Sequence, residues 1–213
     1  MGFLKGGPFY HLVGRTGNNV GRVVKGKNVF SMRPAKSEKA PTALQLDYRF
    51  RFGLFTSWLK KVTPVLNIGF KAHDSEMSPY NAAVGYNLEH AVTGVSPNFS
   101  ISYLAAKFSL GVLRRPTDVT ATTAAGAEME YEWTSVVGQS YALANDQIGL
   151  VVYNVDKQEF VTMMNAALRS AQAYTLQLPL DWTGDTVHSW ILAVSVDGKL
   201  VSDTAYVGQN VVL

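Results

Sequence analysis

The chain of 213 residues is 47% hydrophobic and 16% charged, carries a net charge of +3 and contains no cysteine. Its apolar content is typical of a folded chain of one or two domains, which excludes an intrinsically disordered protein. The lack of cysteine excludes disulfides, thiolate metal sites and a cysteine nucleophile.

The small net charge hides an uneven distribution along the chain. Residues 1–71 hold thirteen Lys or Arg against two acidic residues, a net charge of +11, whereas residues 72–213 carry a net charge of −8. A basic segment of this kind can bind nucleic acid, an acidic surface or the acidic part of another copy of the chain. The two halves can also neutralise each other within one monomer.

The first 34 residues are rich in glycine and contain only short apolar segments. The sequence VGRVVKGKNVFSMRP predicts two short strands around a turn at 25–28. A two-stranded ribbon is not stable alone. We therefore expect this Gly-rich β-arm to lie on the body of the protein or to add to the sheet of another copy. The apolar C-terminal residues Val211, Val212 and Leu213 are a second segment that could add to a neighbouring sheet.

Two helices are predicted after a polar linker. Thr42 and the glutamine three residues on form a candidate capping box, and apolar residues at helical spacing predict a helix over residues 42–61. Ser78 is the predicted N-cap of a second helix, which has Pro79 at its first position.

Strands dominate the remainder of the chain. Residues 104–113 and 129–137 are predicted strands, and residues 117–126 are predicted to form a loop or an edge. Five further strands follow in the C-terminal third, with Asp197-Gly198 as the strongest hairpin signal between them. Strands at this regular spacing predict a small antiparallel sandwich.

These elements together predict an α+β fold that is mainly β. We expect a Gly-rich basic β-arm at 1–34, a helical and strand region at 35–140, and an antiparallel immunoglobulin-like β-sandwich at 141–213. The N-terminal sequence lacks the apolar core of a secretory signal, and no run is long enough to span a membrane. We expect synthesis in the cytoplasm, with later release as part of an extracellular or virion assembly left open.

No pattern in the sequence predicts an enzyme. The four histidines do not stand at metal-ligand spacing, and neither a nucleophile elbow nor a phosphate-binding loop occurs, so no catalytic, cofactor or metal residue is predicted. Glu128, Glu130 and Glu132 alternate along a predicted strand and therefore point the same way. Such a row of carboxylates can be catalytic or can bind a cation. More commonly it is a solvated face of a strand or a surface that binds a basic partner.

Several segments resemble an uncharacterised family of Bacteroidota proteins and related phage genes, known only as a domain of unknown function. The most specific of them are YNAAVGYNL and VSVDGKLVSDTAYVG, and the similarity extends over nearly the whole chain. This resemblance supplies no activity or catalytic residue. It implies an intact small protein of cell-surface or virion type rather than an enzyme fragment.

The predicted function is that of a structural subunit. It would self-assemble with other copies of itself into a filament, tube or virion component through arm exchange and charge complementarity. The candidate interface residues are Arg15, Arg22, Lys25, Lys27, Arg33, Glu128, Glu130, Glu132, Val211, Val212 and Leu213.

Two other functions remain open at this point. The first is a monomeric module that binds a surface glycan or another protein through aromatic side chains of the β-domain. Trp133, Trp182 and Trp190 could line a sugar-binding face, although packing in the sandwich core is the favoured interpretation. The second is nucleic-acid binding through the basic half, which predicts an affinity that falls steeply with salt.

Overall fold

A computed structural model describes residues 2–35, 38–73, 77–135 and 141–213. The chain forms two compact units, one up to Thr42 and one from Ala43 to Leu213. The first unit is a four-stranded antiparallel sheet in the order β1-β4-β3-β2. Its strands are β1 (Gly2–Leu4), β2 (Gly14–Thr16), β3 (Asn19–Val24) and β4 (Lys27–Met32).

The turn between β3 and β4 is the predicted one. Lys25 and Gly26 both have positive φ, 48° and 73°, as a two-residue type I′ hairpin turn requires. The sequence predicted two strands where the structure has four, because β1 and β2 have only three residues each and show no periodicity of their own. Their pairing with β4 and β3 completes a sheet that a two-stranded ribbon could not have sustained.

The segment between β1 and β2 lies across one face of this small sheet. The rings of Phe9 and Phe30 stack with centroids 6.2 Å apart. Farther along the segment, Leu12 approaches β3 so closely that a Cβ on Gly21 would collide with the Leu12 carbonyl oxygen. Glycine at this position therefore permits the close approach of two backbones.

The second unit begins with three helices, α1 (Ala43–Lys60), α2 (Thr63–Gly69) and α3 (Pro79–His90). The first and third match the predicted helices, and the Ser78 hydroxyl accepts the predicted capping hydrogen bond from the Asn81 N–H at 3.3 Å. The short α2, which was not predicted, has proline in its first turn, where no N–H partner is needed. Over the described part of the chain, none of the helices has the length and apolar character that crossing a bilayer requires.

Nine strands follow in the described residues. A hairpin of β5 (Val92–Val95) and β6 (Asn98–Ile101) comes first. A three-stranded sheet in the order β11-β8-β7 contains β7 (Thr117–Ala124), β8 (Glu128–Thr134) and β11 (Ala173–Gln177). A four-stranded sheet in the order β10-β9-β12-β13 contains β9 (Gln147–Asn154), β10 (Glu159–Leu168), β12 (Thr186–Val194) and β13 (Ala205–Val211).

The two larger sheets contain seven antiparallel strands and confirm the predicted immunoglobulin-like sandwich and the mainly β fold class. The sandwich begins at Thr117, N-terminal to the predicted range 141–213, because β7 pairs with β8 and β8 pairs with β11. Strand β7 is an edge of its sheet, as predicted. The last two residues of the predicted strand 129–137 lie outside the described residues.

The four-stranded sheet is the middle one of three layers. On one side, Tyr153 and Trp190 pack against α1 and the other helices. On the other side, Leu150 and Ile191 pack against the three-stranded sheet. Both faces of β9 and β12 are therefore buried, which explains their continuous apolar runs in place of an alternating pattern.

The predicted strand at 104–113 is absent from this described region, and that prediction is wrong. Side chains take the place of a partner strand there. The Lys107 N–H donates to the Asn87 side-chain oxygen at 2.9 Å, and the N–H groups of Phe108 and Ser109 donate to the Thr204 hydroxyl at 3.1 and 2.7 Å. The apolar residues alternate as in a strand, but the backbone groups are satisfied without a ladder.

We expect the stability of the protein to depend on pH through His188 on β12. The residue is 8% exposed, and its Nδ1 lies 2.7 Å from the Tyr206 hydroxyl. The Tyr103 ring packs against the His188 ring with centroids 4.1 Å apart. Burial lowers the pKa of His188 below its ordinary 6.5, so the unfolded chain takes up this proton more readily than the folded one. We expect its contribution to the free energy of unfolding to be constant above pH 6.5 and to decrease as the pH falls below that value.

Urea unfolding at pH 5, 6, 7 and 8 measures this effect. The variant His188→Gln keeps a polar partner for Tyr206 but does not titrate, so it should lose less stability than the natural protein between pH 6.5 and 5. Parallel curves for the two proteins would contradict the assignment.

Candidate interaction faces

Three of the predicted interface cations share one face of the N-terminal sheet. Arg15 on β2 is paired with Val20, Arg22 on β3 with Val29, and Lys27 on β4 with Val24. Directly paired residues lie on the same face of a sheet, and alternate residues of one strand share a face. Val20, Arg22 and Val24 therefore lie on one face of β3, and the partners Arg15 and Lys27 lie on that face too. The three cations form a diagonal line across it. Neighbours in this line are about 8 Å apart. We call Arg15, Arg22 and Lys27, all exposed, the basic row.

The basic row lies in a positively charged unit. Residues 1–42 contain eight Lys or Arg and one acidic residue. Lys25 occupies the turn at the end of β3, and Arg33 directly follows β4, where its N–H donates to the Asn18 carbonyl oxygen at 2.7 Å. Both predicted cations therefore lie at the ends of the strands that carry the row.

The three predicted glutamates lie on the outer surface of the sandwich. Glu128, Glu130 and Glu132 alternate along β8 with Met129, Tyr131 and Trp133, which are buried in the sandwich core. The carboxylates therefore point outward together, as predicted, with about 7 Å between neighbours. We call them the acidic row. Within the described residues, none of the three forms an ion pair.

The neighbouring strands add no opposite charge to the acidic row. On β11, Ala173, Thr175 and Gln177 pair with the three glutamates, and on β7 Thr120 and Thr122 pair with two of them. This face is therefore acidic and flanked by small neutral side chains. Among the described residues, no three potential metal ligands converge, here or elsewhere.

The C-terminal tail is already bound to its own chain. Val212 is 1% exposed in the sandwich core, although Val211 and Leu213 are about half exposed. The Val212 N–H donates to Asp185, its carbonyl accepts from Gly184, and the Leu213 carbonyl accepts from Ala127 at 2.8 Å. Addition of this tail to a neighbouring sheet would require these bonds to break. The tail is therefore not part of the candidate interface.

The three tryptophans considered for sugar binding are core residues. Trp133, Trp182 and Trp190 are 4%, 1% and 0% exposed. Trp190 packs against helix α1 through Trp58, and its indole N–H donates to the Tyr103 carbonyl at 3.0 Å. Packing in the sandwich core, the favoured interpretation, is confirmed for Trp133 and Trp182, whereas Trp190 is buried between the four-stranded sheet and the helices. None of the three offers a face to a sugar.

Sequence reasoning missed an apolar surface on α1. The line of residues that buries Phe55 and Leu59 continues toward the start of the helix as Leu44, Tyr48 and Phe52, which are 62%, 62% and 55% exposed. A cavity of about 360 Å³ lies beside it, lined by Tyr48, Arg49, Arg51, Phe52 and Leu88. The sequence did show the helical spacing of these residues, but not where the core ends along the helix.

The sequence model of a family of unknown function, DUF6266, matches residues 11–208. No curated protein matches the chain. The predicted resemblance to a family without an assigned function is thus confirmed, whereas the bacterial and phage source of that family stays a prediction.

Two solved structures are similar to part of the chain. The fn3 domain of human collagen alpha-1(XX) chain is 10% identical over 47% of this chain and 85% of that one, with a TM-score of 0.35. The FN1-FN3 domains of chicken CNTN1 are 12% identical over 48% of this chain and 33% of that one, with a TM-score of 0.33.

Proposed function

The chain belongs to the family of unknown function DUF6266, and we propose from its geometry that it is a structural subunit that assembles with copies of itself. The basic row of one copy would meet the acidic row of the next. The observation that carries this proposal is the presence of two outward-facing rows of opposite charge, three side chains each, on two different sheets of one chain. All members of the two rows are exposed except Glu128, which is half-exposed.

The dimensions of the two rows support a direct contact. Neighbouring residues are about 8 Å apart along the backbone positions of the basic row and about 7 Å apart in the acidic row. Arginine, lysine and glutamate side chains are long enough to absorb the difference. Opposite charges on facing surfaces direct association and fix its register.

The kind of contact determines the kind of assembly. The two rows are different surfaces, so each copy uses one of them toward each neighbour, which is a head-to-tail contact. Head-to-tail contacts build rings when the rotation closes and open filaments or tubes when it does not. The N-terminal strands pair with one another in a four-stranded sheet, so the proposal relies on contact between faces and does not require the arm exchange expected from the sequence.

A charge-swap experiment tests the proposal. One variant carries Arg15→Glu, Arg22→Glu and Lys27→Glu, and the other carries Glu128→Lys, Glu130→Lys and Glu132→Lys. At low salt the natural protein should form large particles in light scattering and electron microscopy, and each variant alone should not. A mixture of the two should assemble again, because each then supplies the charge that the other lacks.

The control carries Glu89→Gln and Glu159→Gln, two exposed glutamates outside the acidic row, and it should assemble like the natural protein. A natural protein that stays monomeric at low salt and high concentration would overturn the proposal. The same holds for either charge variant assembling unchanged. Particles that appear only after nucleic acid is added would instead favour nucleic-acid binding by the basic row.

A further inference from the structure

The first half of α1 has no buried face. From Ala43 to Gly53, a stretch that is described in full, every side chain is exposed or half-exposed, whereas Phe55, Trp58 and Leu59 in the second half are buried. The apolar stripe formed by Leu44, Tyr48 and Phe52 runs along this uncovered half at a spacing of four residues, one helical turn after another.

Such a segment requires a cover. About ten helical residues are marginally stable in water without tertiary packing, and amphipathic helices of folded proteins bury their apolar stripe. Here Leu44, Tyr48 and Phe52 project between 55% and 62% of their surface into solvent. Contiguous exposed apolar patches of a few hundred Å² are often functional.

We propose that the stripe packs against the same stripe of a second copy, with the two helices antiparallel. The stripe is symmetric about its middle residue. In an antiparallel pair, Tyr48 of each copy would meet Tyr48 of the other at the two-fold axis, and Leu44 of each would meet Phe52 of the other. A self-complementary surface is the requirement for a two-fold contact.

The charges beside the stripe fit the same arrangement. Asp47 and Arg51 lie on one side of it and contact each other at 3.8 Å within their own helix. A two-fold axis places the side of one helix that carries Asp47 and Arg51 next to the same side of the second helix. Because the helices are antiparallel, each Asp47 would come near Arg51 of the second copy. The Arg51 guanidinium is also held over the Phe99 ring at 4.7 Å, so its position is already restrained by stacking.

The size of the stripe indicates a weak contact. An aromatic side chain buries about 150–250 Å² when fully covered, so the uncovered parts of these three residues and their neighbours supply on the order of 400 Å² per copy. A stable specific pair usually buries about 1,200–2,000 Å² in total. The helix pair therefore suits a second contact inside an assembly. This inference rests on the proposed function, because it assumes that copies of the chain associate.

Disulfide cross-linking tests the helix pair, because the chain contains no cysteine. Tyr48→Cys should give a disulfide-linked dimer under mild oxidation, seen by non-reducing electrophoresis. A mixture of Leu44→Cys and Phe52→Cys should give more mixed dimer than either variant gives alone. Leu104→Cys, at a site that is 74% exposed and lies outside α1, should give no dimer above the background of random collisions.

The outcomes separate this inference from the proposed function. Large particles without a Tyr48→Cys dimer would overturn the helix pair and leave the charged contact intact. A Tyr48→Cys dimer without large particles would support the helix pair and count against the charged contact. Equal cross-linking of Tyr48→Cys and Leu104→Cys would overturn the helix pair. Protection of the Tyr48→Cys thiol from alkylation in a monomeric protein would also overturn it, because the chain itself would then cover the stripe.

Discussion

Replacing Asp146 with alanine should lower the free energy of unfolding by about 3–5 kcal/mol, the usual cost of breaking a buried ion pair. Its carboxylate accepts a hydrogen bond from the Arg169 Nε at 3.0 Å, and the two side chains are 0% and 2% exposed. The same carboxylate oxygen accepts the Leu143 N–H at 2.9 Å. The alanine variant would therefore leave a guanidinium and a backbone N–H without their partner inside the protein.

The position of Arg169 adds to this effect. Its guanidinium also donates to the Arg114 carbonyl at 2.5 Å, and its own carbonyl accepts the Trp133 indole N–H at 2.9 Å. The ion pair thus joins the start of β9, the end of β10 and the three-stranded sheet. Loss of the pair should loosen three segments together rather than one side chain.

Urea unfolding measures the size of the loss, and two variants control it. Lys199→Ala removes an exposed ion pair with Asp197, in which the side chains are 77% and 50% exposed, and should cost under about 1 kcal/mol. The double variant Asp146→Leu with Arg169→Met removes both charges and should be more stable than Asp146→Ala alone. If Asp146→Ala and Lys199→Ala cost the same, the buried pair has no special role.

Replacing Gly69 with alanine should also be clearly destabilising, by about 1–3 kcal/mol, as for overpacking in a well-packed core. Gly69 ends α2, and a Cβ there would collide with the Phe108 carbonyl oxygen and lie 2.8 Å from the Ser109 Cβ. The Leu110 N–H also donates to the Gly69 carbonyl at 3.1 Å. Because that bond holds the two backbones together, the chain cannot move away without losing it.

Gly85 provides the matched control for Gly69→Ala. It lies within α3, and no heavy atom comes within 4 Å of the position that a Cβ would take. Gly85→Ala should therefore stabilise the protein by up to about 1 kcal/mol through helix propensity alone. The two variants should shift the midpoint of thermal unfolding in opposite directions, and a shift in the same direction would contradict the steric explanation.

Local signals in the sequence accounted for much of the fold. The turn at Lys25 and Gly26, the capped start of α3 at Ser78 and the strands β9 and β12 are indicated by neighbouring residues alone. For this reason they could be predicted without any knowledge of the tertiary structure. The outward direction of the acidic row belongs to the same class, since alternation along one strand determines it.

Several of the features that sequence analysis missed depend on distant residues. Thr204 satisfies the N–H groups of Phe108 and Ser109, almost 100 residues away along the chain, and this contact makes an apparent strand irregular. Val212 is buried because it packs in the sandwich core, where the backbone of Asp185 accepts its N–H. A sequence pattern shows which residues are apolar, but it does not show whether the surface opposite them belongs to the same chain.

The candidate faces were predicted in part for the same reason. The sequence identified the cations of the basic row, but only the pairing of β2, β3 and β4 places them on one face. The sequence also identified the apolar periodicity of α1. The boundary between the buried and uncovered halves of this helix depends on where the sandwich beneath it ends. Both interaction surfaces therefore required the tertiary structure.

The burial of the four-stranded sheet on both sides has a consequence for how residues 43–213 fold. The helices and the three-stranded sheet each lack a surface to pack on until β9 and β12 have paired, and these strands are separated by some thirty residues along the chain. Closing that loop has an entropic cost before either layer can be stabilised. Folding of this unit should therefore be slow and all-or-none, with amide protons of β9 and β12 exchanging only through global unfolding.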